Sequence, residues 1–336
     1  MKHPHLVAMA LFALLNPNPV QAQDTSADST AAPANPNAVT ISIADGSTSH
    51  TYETIISQLK PFVQDSVTLQ EVPSTGAVQN LDLLINNKVQ LAMLHNDVYE
   101  FRSKSNPAIL DKYKTVLKLY SEEVHFLALK TSKRMVGASF FSKGTPMVLN
   151  TIEDLKDLNV GAAGGGAISA QVIKLETDIP YHFTEYKKGD DVLAALNSGE
   201  IDAAVFVGGA PLTNLENLGP DYQILSIPGA DVDKLKQVYH AATVTYTNMR
   251  PDSVDTVAAD CVLVGRVYKT PKFINALATL RAAVDTKLTE IQETTGSHPK
   301  WQEVQPSTDN HGTLPWMDLP APTGAAAPPP APAPAK

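Results

Sequence analysis

Three stretches carry residues suited to holding a small molecule. Asn159–Ala170 reads NVGAAGGGAISA, a short apolar run that enters Gly164, Gly165 and Gly166 before a helix-like segment ending at Thr177. A strand that turns through glycine into a helix presents unpaired backbone N–H groups, which attract a carboxylate, a phosphate or another electron-rich group. Glycine also admits positive φ and a close approach of ligand to backbone. Ser74–Val78 (STGAV) repeats the pattern with Ser74, Thr75, Gly76 and Ala77, and Ile201–Pro211 (IDAAVFVGGAP) brings Phe206, Gly208 and Gly209 to a turn. Two further loops add side chains. Ser47 and Thr48 supply hydroxyls, with Tyr52 as an aromatic wall, and Asn96-Asp97 follows an apolar run where Asp97 can pair with a ligand amine. Together these loops predict one small-molecule cleft.

Each feature has a plainer counterpart. Ser47, Thr48, Ser74 and Thr75 can cap the helices that follow them, and Asp97 can do the same at Val98. Gly208-Gly209-Ala210-Pro211 also reads as a tight turn with proline opening a helix. Phe206 and Tyr120 fit core packing, and His95 fits an interior histidine. Enzyme motifs are missing. The glycine cluster lacks the Lys-Ser/Thr of a phosphate loop and the spacing of a dinucleotide fingerprint, and no G-x-S-x-G elbow occurs. The nine histidines are scattered without H-E-x-x-H. Asp45 and Asp97 could in principle share acid–base work, but spacing along a chain does not give their separation. No catalytic residue, cofactor or metal site is expected.

The composition is that of a folded chain, with 43% hydrophobic and 18% charged residues. A net charge of −9 without a dense Lys/Arg stripe argues against nucleic acid as a partner. The single cysteine, Cys261, lies in an apolar run and reads as a small buried hydrophobe. Residues 1–22 have the layout of a secretory signal peptide: Lys2, an apolar core at Leu6–Leu15, and Val20-Gln21-Ala22 as the cleavage site. Cleavage after Ala22 implies an exported protein with no membrane insertion of the mature chain, which the resemblance given below places in the periplasm. Residues 23–38, rich in Ala, Ser, Asp, Asn and Pro, read as a disordered linker, and residues 306–336 as a Pro/Ala-rich disordered tail.

Between them the pattern is βαβαβα, then a restart near Lys130. Strands are expected at Val39–Ala44, Val67–Val72, Val89–His95, Lys114–Leu119 and Val124–Lys130, with Tyr120–Glu123 as a connection and Asn96-Asp97 as a loop. The second unit runs through the glycine-rich turn to a helix near Asp231–Tyr239, and extended runs after Ala242 lead back to the first. This predicts an α/β protein of two lobes, each a mixed or parallel sheet flanked by helices. Lobe 1 is 39–130 plus about 251–305, and lobe 2 is 131–250.

Four segments in order carry a resemblance: STGAVQNLDLLINNKVQLAMLHNDV (Ser74–Val98), LYSEEVHFLALKTS (Leu119–Ser132), NVGAAGGGAISA, and SGEIDAAVFVGGAP (Ser198–Pro211). The chain resembles the TAXI-type solute-binding subunits of tripartite ATP-independent periplasmic (TRAP) transporters over roughly Val39–Leu288. The resemblance implies a type II-like periplasmic binding fold that closes on a small solute between lobes and delivers it to a TRAP-type membrane permease, most simply as a monomer. An organic acid or amino acid is the favoured solute, and a neutral or apolar one is compatible. Where the family has T-G-G-T-G-G-T-Y-Y and G-S-G-T-R, this chain has Asp45–Glu53 and Gly164-Gly165-Gly166-Ala167-Ile168, so a hydroxyl and a guanidinium are missing. The alternative is a solute sensor or periplasmic scaffold that keeps the fold but acts on a partner protein, which the long tail would suit.

Overall fold

A computed structural model describes residues 38–46, 51–307 and 314–321. The leader expected at 1–22, nearly all of the expected linker, and Ser47 and Thr48 lie outside the described residues. The described residues all belong to one compact unit.

The first half builds a parallel unit. β1 (Val39–Ala44) and β2 (Val67–Val72) form where the sequence alternates, joined by α1 (Thr51–Val63). Tyr52, Ile55, Ile56, Leu59 and Val63 are buried, the i, i+3, i+4 stripe of a helix laid on a sheet. Gly76, at φ +121°, turns the chain into α2 (Ala77–Ile85). β3 (Leu91–His95) is buried at all five positions, as a central strand must be. Asn96 and Asp97 do not form a loop: they open α3 (Asn96–Ser105), and α4 (Ala108–Lys112) follows.

β4 (Tyr113–Leu129) corrects a second expectation. It is a single strand of 17 residues and runs straight through Tyr120–Glu123. Adjacent glutamates look like a break in an apolar pattern, yet both are buried here and bonded to other parts of the chain. A hairpin of β5 (Met135–Val136) and β6 (Thr145–Pro146) follows. Then comes a 3-10 turn at Ile152–Leu155, where the Thr151 N–H donates to the Asp154 carboxylate at 3.0 Å.

The second unit is β7 (Asn159–Ala163), α5 (Gly165–Thr177), β8 (His182–Tyr186), α6 (Gly189–Ser198) and β9 (Ala203–Gly208). After it come α7 (Thr213–Glu216), β10 (Tyr222–Leu225), α8 (Gly229–Leu235) and β11 (His240–Val244). β12 (Val254–Arg266) and α9 (Pro271–Glu293) return to the first unit.

One mixed sheet runs β2-β1-β3-β12-β4-β9-β7-β8, with β10 on β4 and β11 on β12. The parallel trios β2-β1-β3 and β9-β7-β8 form the two lobes, and the antiparallel β12 and β4 cross between them. Residues 314–321 depart from the expected tail. The Thr115 N–H donates to the Pro315 carbonyl at 3.0 Å, Met317 N–H donates back to Thr115 at 2.9 Å, and Leu314 and Met317 are buried. Arg281 adds a hydrogen bond to the Met317 carbonyl at 2.9 Å and lies over the Trp316 ring, so backbone bonds, a cation and two apolar side chains together fasten this piece onto β4.

Candidate functional site

The crossing strands change partners at their middles. Glu123 of β4 is the last residue paired with β12's end of the crossing and the first paired with β9, opposite Gly208. Ala258 of β12 pairs with both Glu123 and His240, while Cys261 lies opposite His95 at the end of β3. The carboxyl ends of β3, β7 and β9 therefore converge from both lobes on one row across the sheet. Ligand sites of open α/β sheets lie at such ends.

Two of the small-residue turns meet there face to face. A Cβ built on Gly164 would stand 3.6 Å from the Thr75 carbonyl oxygen. On Gly165 it would overlap the His95 ring and lie 3.3 Å from the Ala77 Cβ, and on Gly166 it would come within 2.9 Å of the Val205 carbonyl oxygen. Both glycines are thus required by packing within the chain: Gly165 lets the second lobe's turn sit on the first lobe's, and Gly166 lets α5 sit on β9 of its own lobe.

Asp97 ties the same place together. It is fully buried, accepts from the Val98 N–H at 2.7 Å, and receives the hydroxyls of Ser169 on α5 and Tyr239 beyond α8 at 2.5 Å each. His95 Nδ1 bonds its other oxygen. Burial opposes charge on both groups, but their mutual attraction wins: His95 is raised above its ordinary value and Asp97 lowered below its own. Asn96 makes a parallel bridge, donating to the Val238 carbonyl at 2.9 Å and accepting from the Asp260 N–H at 2.9 Å. The order Ser169–Asp97–His95 puts the carboxylate in the middle. The Ser169 hydroxyl meets the carboxylate and not the imidazole, which is not the nucleophile–histidine–acid order of a triad.

Two further buried carboxyls, Glu122 and Asp45, belong to the first lobe. The Tyr52 hydroxyl donates to Glu122 at 2.7 Å, and burial pushes Glu122 up to about 7. Asp45, 1% exposed at the end of β1, is likewise pushed to about 7, by burial first and by Glu71 second. The Ser74 N–H donates to the Gly46 carbonyl at 2.8 Å, which joins the first loop to the second turn. The Ser74 hydroxyl accepts from the Gly76 N–H at 3.1 Å and bonds Asn80, while the Thr75 N–H is taken by Gln79 at 2.7 Å. Ser74 therefore shapes its own turn.

On the other side of β4, Glu123 accepts from the Ala210 N–H and from the buried Lys300 ammonium, each at 2.7 Å. A Cβ on Gly209 would stand 3.0 Å from Lys300 and 3.2 Å from Tyr120. His125, driven down to about 4 by burial, hydrogen-bonds Tyr246 at 2.9 Å.

The structure thus brings together Tyr52, Ser74, Thr75, Gly76, Ala77, Asn96, Asp97, Gly164, Gly165 and Gly166. Gly208 and Gly209 sit along the same row through Glu123. Phe206 stands apart, packed against the core of α6 and β9's far face. Sequence reading passed over Glu122, Glu123, Ser169, Tyr239 and Lys300. The acidic pair inside an apolar strand was the available signal for the first two; the others needed tertiary contacts. Among the described residues no cluster of His, Cys, Asp or Glu is placed to hold a metal ion, and no helix is long and apolar enough to cross a membrane. An open cavity of ≈ 470 Å³ lined by Asn87, Gln90, Arg266 and Lys269 lies at the opposite end of β3 from His95.

The sequence profile of the NMT1-like family matches residues 43–279. No curated protein matches the chain. Similar solved structures include the substrate-binding protein of an amino acid ABC transporter, at 13% identity and TM-score 0.45, covering 78% of this chain and 98% of that one. Another is a Streptococcus pneumoniae amino acid ABC transporter substrate-binding protein bound to L-arginine, at 13% identity and TM-score 0.44, covering 79% and 96%. A third is a Legionella pneumophila arginine transport periplasmic binding protein, at 12% identity and TM-score 0.45, covering 80% and 100%. None of these figures assigns a ligand to this chain.

Proposed function

The chain belongs to the NMT1-like family, and from that premise we propose that it is an exported solute-binding protein that captures a small organic solute between its lobes. The observation that carries this reading is the meeting of the Thr75–Ala77 and Gly164–Gly166 turns at the carboxyl ends of strands from both lobes. Residues 39–130 with 251–305 would move as one body and 131–250 as the other, about the middles of β4 and β12.

The chemistry of the row favours an organic acid or an amino acid. The first N–H groups of a helix lack i−4 partners and suit a carboxylate; α2 and α5 both begin at this row, where the Ala167 N–H is already taken by the Gly164 carbonyl at 3.1 Å. Asp45 and the Tyr52–Glu122 pair, with carboxyls titrating near pH 7, suit an ammonium or hydroxyl and repel an acid less than ionised carboxylates would. Delivery to a TRAP-type permease, with the mature chain periplasmic after removal of residues 1–22, rests on the four segments that resemble TAXI-type subunits. A thermal-shift screen of chain stripped by partial unfolding tests capture. A solute at a hundred times its Kd should stabilise by about 2.7 kcal/mol, a rise of roughly 5–10 °C for a chain this size.

One observation favours the second reading, a sensor or scaffold acting on a partner protein. A single apolar cluster joins Leu81, Leu94 and Val98 of the first lobe to Ile168, Ile173 and Val205 of the second, so full opening would expose core. Scattering curves with and without solute separate the two: a measurable closing of the envelope supports capture, and an unchanged envelope with no stabilising solute supports the scaffold.

A further inference from the structure

Five of the eight large hydrophobic side chains exposed among the described residues lie in one short segment: Met135, Val136, Phe140, Phe141 and Val148. Phe140 is 96% exposed and Phe141 94%. They are the two central residues of the turn that closes the β5–β6 hairpin, where Ser139 and Ser142 exchange N–H···O bonds of 2.8 and 3.2 Å. The rings sit edge to face, 5.2 Å apart, both pointing off the tip.

The hairpin is built and fastened. Gly144 has φ +74°, and a Cβ there would press on the Ala138 backbone nitrogen at 2.8 Å, so only glycine closes the turn. At the base, Arg134 grips Asp202 through two hydrogen bonds of 2.9 and 2.7 Å, and Met147 N–H donates to the Arg134 carbonyl at 2.8 Å. Asp202 precedes β9, so the hairpin is anchored at the end of that strand opposite Gly208 and the candidate site. Two phenylalanines held in water on a fixed tip forgo the gain that burial would bring each of them, which marks an interaction surface.

Charge selects the partner. In a chain of net −9, the residues from Val124 to Ile152 contain no Asp or Glu, but include Lys130, Lys133, Arg134 and Lys143. Arg134 is paired with Asp202 and Lys130 reaches the Met249 carbonyl, while Lys133 and Lys143 flank the hairpin in exposed positions. A convex aromatic tip between ammonium groups matches an interface of acyl chains under anionic headgroups: the rings enter the headgroup boundary and the lysines stay at its surface. We propose that the Ser139–Ser142 tip docks this protein on anionic lipid bilayers. The contact is peripheral and reversible, and it leaves the solute row at the other end of β9 open.

Vesicle flotation tests this with the chain from Gln23 on, which keeps every described residue. The probes are vesicles of phosphatidylcholine alone and of phosphatidylcholine mixed with phosphatidylglycerol. Wild type should float with the mixed vesicles and release as salt rises. Phe140→Ser/Phe141→Ser should bind them about tenfold less or weaker still, with an unchanged melting temperature because neither ring is packed. Lys143→Glu should weaken binding to the mixed vesicles alone. Wild type that floats with neither vesicle overturns the proposal, as does a double Phe variant that floats like wild type. If wild type ignores lipid but is retained by its purified permease through the same two phenylalanines, the tip serves a protein pocket and the lipid assignment is wrong.

Discussion

The hydroxyl of Tyr239 donates a 2.5 Å hydrogen bond to the buried carboxylate of Asp97, 142 residues earlier in the chain. Ser169 donates to the same oxygen, and His95 holds the other. A carboxylate taken out of water is tolerated only when donors surround it, and here donors come from both lobes. Asp97 therefore ties the end of β3 to α5 and to the segment after α8.

Removing those donors should loosen the molecule in a graded way. Tyr239→Phe, which takes away one bond to a charged group, should lower unfolding stability by about 1.5–3 kcal/mol in urea titrations. Asp97→Asn, which leaves the buried His95 without its counter-charge, should cost more, about 3–5 kcal/mol. Equal stability of both variants and wild type would mean the Asp97 cluster does not hold the lobes.

The two raised carboxyls give stability a definite slope with pH. Asp45 and Glu122 have folded pKa values near 7 against ordinary values of 3.8 and 4.5. The folded state therefore binds protons more tightly, and their contribution falls as pH rises from about 4 through 7. His125, depressed to about 4, acts oppositely, costing stability as pH falls below its unfolded value near 6.5. Comparison with Glu122→Gln isolates one group. Relative to wild type the variant should be more stable at pH 8 than at pH 5, by up to about 3 kcal/mol across the range. Parallel profiles for the two proteins would remove Glu122 from the account.

Gly165→Ala should be far costlier than its size suggests. Its methyl would overlap the His95 ring, and overpacking of this kind costs about 1–3 kcal/mol. Gly219→Ala, with open space around the new methyl and no positive φ, should change stability by less than about 0.5 kcal/mol. Similar melting temperatures for the pair would show that the two turns do not pack as described.

Most of the fold was legible because local rules agree with the global one. β1 and β2 alternate cleanly, α1 carries an unbroken apolar stripe, and Gly76 and Gly164, both at positive φ, mark the turns into α2 and α5. The failures share one cause. Glu122-Glu123 looked like a break in β4, and Asn96-Asp97 like a loop, because polar residues inside apolar runs usually mean solvent. Here their partners are Tyr52, Lys300, Ser169, Tyr239 and Val238, each distant in sequence. Gly165 and Gly166 stand where expected, yet the close approach they permit is first that of His95 and Val205.

Amide hydrogen exchange, with and without the solute that gives the largest thermal shift, tests the central claim most directly. If the lobes close on a solute at the facing turns, exchange should slow at Gly76-Ala77 and at Gly165-Gly166 together, with the β5–β6 hairpin unchanged. Protection confined to one lobe, or no protection at either turn, would contradict capture between the lobes and leave the scaffold reading in its place.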